Sequence, residues 1–203
     1  TLNQASAGPH YTTYNDCPKV VLRGDNIPVV FYRGQPIQSF ATADRNYNAI
    51  YCNIGQSPNR VSDPSGRFTF DSTKSFHVVG LGPDSKNPLE LKNVVYYDAI
   101  IDERDRAIVL STKDDRETSP AVYAPRQTLI TTFDSRVPLV DQYSATDGLG
   151  THITLWRGPV YDGTTELRKV DPAYRNVSLT TDGKGNIHVV MGFSMIGDDP
   201  ARF

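Results

Sequence analysis

The chain has 203 residues, 38% of them apolar, and a formal net charge of −2. That length and apolar content suffice for the core of one domain. The dispersed Arg and Lys residues, set among acids, argue against a nucleic-acid backbone as partner, and no apolar run approaches the span of a bilayer.

Residues 1–12 read as an N-terminal extension or closing strand ahead of a single all-β domain over 13–203. The opening Thr1-Leu2-Asn3-Gln4 looks like a trimmed terminus, which leaves a removed targeting segment open. From there on, Val, Ile, Thr, Tyr and Phe cluster in short runs separated by Gly, Pro, Asn and Asp, and no window sustains a helical period for three turns. The 14 prolines and 15 glycines are spread along the chain as turn punctuation, with no linker between domains.

One phrase recurs: an apolar strand, an Asp-containing turn and a second strand. Its first copy is Val20-Val21-Leu22-Arg23-Gly24-Asp25-Asn26-Ile27-Pro28-Val29-Val30-Phe31. The second spans residues 68–80 and ends Phe76-His77-Val78-Val79-Gly80. The third, over 100–110, has the charged turn Asp102-Glu103-Arg104-Asp105. The fourth spans 143–156, and the fifth spans 179–192 with Asp182-Gly183-Lys184-Gly185-Asn186-Ile187-His188-Val189-Val190. Further strand candidates lie at 39–41, 49–52, 94–97, 122, 128–132 and 166–170. Five units spaced by roughly 40 residues, each with room for four short strands, suit a β-propeller of about five blades. Asp-Gly turns between β-branched runs are also the ordinary hairpin signal. A two-sheet β-sandwich or jelly roll is therefore the alternative.

The strings at 68–80 and 177–193 resemble the sialidase-like, or BNR-type, β-propeller repeat group, which includes glycan-cleaving hydrolases, lyases and lectins. The resemblance implies a propeller and a glycan partner. Thr180 stands where the Asp-box form has Ser or Thr two residues before its Asp. No aromatic follows Gly183 at the family's distance, and no arginine triad or Tyr/Glu pair carries over, so sialidase activity is not implied.

Cys17 and Cys52 fit no zinc spacing; two free buried cysteines are the alternative, and the favoured reading is a disulfide, which would close a loop worth about 3 to 4 kcal/mol. Such a bond places the chain in an oxidising compartment, secreted, periplasmic or cell-surface. The sequon Asn176-Val177-Ser178 is compatible with a secretory route. Neither Asp162-Gly163 nor Asp198-Asp199 has the alternating oxygen ligands of a calcium loop, and no cofactor or metal is expected.

His77 and His188 occupy equivalent places in the phrase. They could carry protons or contact a ligand, or each could pack within its hairpin. Asp25, Asp71, Asp102 or Asp105, Asp147 and Asp182 sit in the turns, where an Asp caps its own backbone. The alternative is that some of them, with Glu103 or Glu166, meet as the acid pair of a glycosidase. Arg23-Gly24-Asp25 spells an adhesion tripeptide at a place where a turn needs Gly and Asp anyway. Eleven tyrosines, eight phenylalanines and one tryptophan supply aromatic surface. In Tyr32-Arg33 and Trp156-Arg157 an aromatic face stands beside a hydrogen-bonding side chain, a combination suited to a sugar ring. The expected function is a secreted carbohydrate-binding module of lectin or adhesin type, with Tyr32, Arg33, Trp156, Arg157, His77 and His188 as ligand contacts. The alternatives are a glycoside hydrolase or polysaccharide lyase with one axial site, and a non-catalytic structural or inhibitory β-sandwich, which an unpaired exposed terminal strand would favour.

Overall fold

The computed structural model describes residues 12–36, 49–57, 65–71, 74–79, 92–115, 126–144, 148–157, 160–162 and 165–196. The expected strands at 39–41 and 122 and most of the N-terminal extension lie outside them. Among the described residues the protein is all-β, with a 3₁₀ turn at Leu139–Gln142.

Two four-stranded antiparallel sheets make up most of it. The first has the order β1 (Thr12–Leu22), β2 (Pro28–Pro36), β3 (Ala49–Ile54) and β4 (Phe76–Val79). In the second, β5 (Lys92–Ile101), β6 (Arg106–Asp115) and β7 (Arg126–Asp134) are neighbours in chain order, and a later strand, Thr151–Arg157, closes the far side against β7. Between β7 and that strand come the short β8 (Tyr143–Ser144) and β9 (Gly148–Leu149), which makes Thr151–Arg157 the tenth strand, β10. A last sheet joins β11 (Val160–Asp162), β12 (Thr165–Thr181) and β13 (Ile187–Ile196).

Period-two alternation decides the layering. Val29, Phe31, Ile50, Cys52, Phe76 and Val78 of the first sheet meet Tyr97, Ala99, Val109, Leu129 and Phe133 of the second in one buried cluster, the arrangement of a sandwich. Alternate residues of the second sheet, Ile108, Leu110 and Ile130, face outward. There the β12–β13 hairpin covers them with Leu179, Ile187, Val189 and Met191. The outer face of the first sheet buries Val30, Tyr32, Ala49 and Tyr51, with Phe70 against them. The central strands of both large sheets are thus buried on both faces, which is why 29–32 and 49–52 read as unbroken apolar runs.

Five equivalent four-stranded blades are not seen among the described residues. Units one, three and five of the repeated phrase are hairpins, β1–β2, β5–β6 and β12–β13. Unit two is not, and in unit four only the two-residue pair β8–β9 closes as a hairpin, while its longer strand β10 joins the second sheet. Thr69 bridges to Gln56 while β4 pairs with β3, and β10 pairs with β7. The same local phrase serves turns in one place and a change of sheet in another, because pairing partners are chosen by the long-range core.

The disulfide expectation is corrected. Asp16 lies opposite Arg33, Lys19 opposite Phe31, and Phe31 opposite Cys52, so β2 runs between the backbones of Cys17 and Cys52. Two strand spacings are about 9.5 Å, beyond the roughly 7 Å Cα separation that a disulfide tolerates. Cys52 is a free thiol, fully buried in the core, and burial pushes its pKa well above the ordinary thiol range. The inference from a disulfide to an oxidising compartment falls with it.

Asp98 fastens the layers at the β5 edge. Its Oδ1 receives the ammonium of Lys19 from β1, and its Oδ2 accepts the N–H of Leu179 from β12 at 2.9 Å. Asp98→Ala should lower stability by about 1–3 kcal/mol in urea denaturation, with faster amide exchange in β12. Unchanged stability would remove this clamp from the account. In the native protein Cys52 should resist Ellman's reagent and react only after unfolding, and thiol counting without reductant should find no Cys17–Cys52 bond.

Candidate functional site

At one end of the sandwich, turns from both sheets enclose a trough of about 500 Å³, a volume typical of ligand sites. Ile54, Gly55 and Gln56 at the end of β3 form one wall, with Lys74 and Phe76 at the start of β4. The segment Ser135-Arg136-Val137-Pro138-Leu139-Val140 forms the other, and Arg23 closes the side. Leu139 and Phe76 are buried as its floor, whereas Val140 is 62% exposed at the lip.

That lip is held rigidly. Asp134 and Gln142 close the loop between them: Gln142 Oε1 accepts the Asp134 N–H at 2.8 Å, and Gln142 Nε2 donates to the carbonyls of Asp134 at 2.7 Å and Val137 at 3.1 Å. From the side, Asp105 anchors the same loop. Its carbonyl accepts the Ser135 N–H at 3.0 Å and the Ser135 hydroxyl at 2.5 Å, and its carboxylate takes the Arg136 guanidinium. Asp105 Oδ1 also accepts the Gly24 N–H at 2.6 Å, which brings the β1–β2 turn into the cluster. Arg23 completes it by donating to the Ser135 carbonyl at 2.7 Å.

The adhesion tripeptide is closed on itself. Arg23 Nε and Nη2 donate to Asp25 Oδ1 and Oδ2 at 2.9 and 2.5 Å, and the Gly24 N–H is occupied by Asp105. The Arg23 guanidinium holds the Asp25 carboxyl down to about 2. Asp25, Asp102 and Asp182 do the capping expected of turn carboxylates, and Asp147 lies outside the described residues. Asp102 Oδ1 accepts the N–H groups of Arg104 and Arg106, both at 2.9 Å, and Asp182 Oδ1 accepts those of Lys184 at 2.8 Å and Asn186 at 3.2 Å.

The sequence-derived contact residues are not brought together. Tyr32 is 1% exposed and stacks on Tyr51 with centroids 5.5 Å apart and rings tilted by 15°. Burial pushes its phenol up to about 12, with the nearby Ser75 hydroxyl pulling the other way. Its face is spent on protein packing and is closed to a sugar. Arg33, half-buried, follows on the opposite face of β2. Trp156 and Arg157 sit on β10 opposite Thr128 and Gln127, and their side chains lie outside the described part of the structure. His77 is fully buried; its Nδ1 lies 2.9 Å from the Tyr143 hydroxyl, with the two rings edge-to-face. His188 stands on the exposed face of the β12–β13 hairpin, its Nε2 3.7 Å from Asp182 Oδ2. Equivalent positions in the phrase have thus become a core residue and a surface residue.

Among the described residues, no group of three or more His, Cys, Asp or Glu side chains is placed to hold a metal ion. Sequence reasoning missed the trough. Its one local signal was the apolar run Val137-Pro138-Leu139-Val140 directly after the polar turn Asp134-Ser135-Arg136, with no strand alternation to bury it. No protein-family model, curated protein sequence or solved structure matches the chain.

The Asn186 amide, helped by the Lys184 N–H, holds the Asp182 carboxyl down to about 2. A carboxyl depressed in the folded state stabilises the β12–β13 turn above its unfolded pKa, near 4, and that contribution is lost as pH falls from about 4 to about 2. Protection factors of the Lys184 and Asn186 amides, corrected for the intrinsic rate, should therefore fall as pH drops through this window. Asp182→Asn should flatten the response, and an equal pH dependence in the variant would assign the effect to another group.

Proposed function

We propose that this chain is a non-catalytic binding module that seats an apolar segment of a partner protein in the trough between Ile54 and Val140. The observation that carries the reading is the trough's chemistry: aliphatic walls, an exposed valine lip and a loop held in place before any ligand arrives. Preorganisation of this kind lowers the ordering cost of binding. The charged groups at the rim are engaged within the protein, Arg23 with Asp25, Lys74 with Asp71 at 3.7 Å and Arg136 with Asp105. Specificity then falls to apolar shape, with the exposed Gln56 available to a peptide backbone.

The lining contains no acid, histidine or cysteine among the described residues, and the Ser135 hydroxyl is spent on the Asp105 carbonyl. The carboxylate, imidazole or thiol of ordinary acid–base and nucleophilic catalysis is therefore lacking from this lining, and its one lysine, Lys74, is turned to Asp71. A glycan would call for an exposed aromatic face, and the one ring in the lining, Phe76, is 8% exposed.

The test is selection of a displayed linear-peptide library on the full chain, run beside a glycan array. Enriched peptides should share a branched aliphatic or aromatic anchor. Val140→Asp, an exposed substitution that leaves the core intact, should weaken them by at least about tenfold, since burying a valine contributes about 1.5–3 kcal/mol. Glycan binding without peptide enrichment, or peptide binding indifferent to Val140→Asp, would overturn the proposal.

A further inference from the structure

The edges of the sheets are unequally protected. A sheet edge offers unpaired N–H and C=O groups to any strand that fits, and proteins guard such edges by shortness, bulges, proline and charge. β4 has four residues and β11 three. β1 carries Pro18 and Lys19 and two register shifts, and β10 shifts register between Thr154 and Trp156. β5 lies under the Lys19–Asp98–Leu179 clamp. β13 has none of these guards.

Its ten residues, Ile187-His188-Val189-Val190-Met191-Gly192-Phe193-Ser194-Met195-Ile196, contain no Asp, Glu, Lys, Arg or Pro. Among the described residues β13 pairs with β12 alone, and the surplus residues of that pair, 173–176, belong to β12. β13 therefore runs through without an insertion. Val190 is 69% exposed on its outer face, next to the exposed His188. The hairpin is also narrower than the sheet beneath it. On β10, Ile153 lies opposite Ile130 and so shares the covered face, yet it is 55% exposed.

We infer that β13 is a self-association edge and that its occupant is β13 of a second copy of this chain, added antiparallel. A strand paired with its own copy closes on a two-fold axis and uses both open edges at once. Because β13 is uncharged, no like charges are opposed along the seam. The two three-stranded sheets then join into one, β11–β12–β13–β13–β12–β11, and the outer layer widens beyond what one copy supplies. Two ten-residue strands meet over about 33 Å and bury less than the roughly 1,200 Å² of a stable complex. The dimer is accordingly weak, with a dissociation constant on the order of micromolar or above.

Sedimentation velocity on the full chain, from about 5 to about 200 µM, reads this directly. The weight-average coefficient should climb from monomer toward dimer, and amides of 187–196 should gain protection from exchange at the higher concentrations. Val190→Lys places a charge on the edge at an exposed site and should weaken association at least about tenfold with unchanged circular dichroism. His188→Glu, on the same exposed face, repeats the test should the first variant fold poorly. A wild-type chain that stays monomeric throughout, or a dimer that neither variant weakens, overturns the inference.

Discussion

The carboxylate and carbonyl of Asp105 are the fixed point of this molecule's turn end. Asp105 sits at φ 59, in the left-handed region that Asp tolerates better than most residues, and is 3% exposed. A buried charge persists only if its oxygens are matched by donors. Here Gly24 comes from the first sheet, and Arg136 comes from the loop that walls the trough. The carbonyl takes Ser135 of the same loop twice over. Losing this residue would leave three turns without a common partner, and the valine lip would have no reason to hold one position.

A second constraint acts across the layers. The sandwich core is apolar and non-directional, so it sets which faces meet but not how the outer hairpin is aligned upon them. Asp98 supplies the direction, by pairing with Lys19 of β1 and accepting the Leu179 amide of β12. The two acids divide the labour. Asp105 organises the ligand-sized space, while Asp98 registers the layer whose free edge, β13, faces outward. Binding at the trough and pairing at β13 thus draw on separate parts of one scaffold.

Much of the local structure was legible from residue order. The strand candidates at 49–52 and 128–132 fall within β3 and β7, and 94–97 joins 100–101 in the single strand β5. The capping work of Asp25, Asp102 and Asp182 also followed from the turns themselves, because those hydrogen bonds span only a few residues. The candidate site was far less legible. Tyr32 looked like an available ring because burial on the outer face of β2 depends on Tyr51, which the chain brings alongside by strand pairing. His77 and His188 share a phrase, but one is enclosed by Tyr143 and the other faces outward from the β12–β13 hairpin. Cys17 and Cys52 looked like partners until pairing placed β2 between them.

By itself, the sequence determined that the chain is all-β, where most strands run and which turns are capped by their own Asp residues, since these depend on alternation and short-range hydrogen bonding. Tertiary structure alone decided that the hairpin phrases are divided among separate sheets, that a trough opens between residues as far apart in the chain as Arg23, Ile54 and Val140, and that β13 is left with an open edge. The physical reason is the same in each case. Which strands pair, and which faces lie back to back, is settled by burying apolar surface across the whole chain, and no local stretch of residues carries that information.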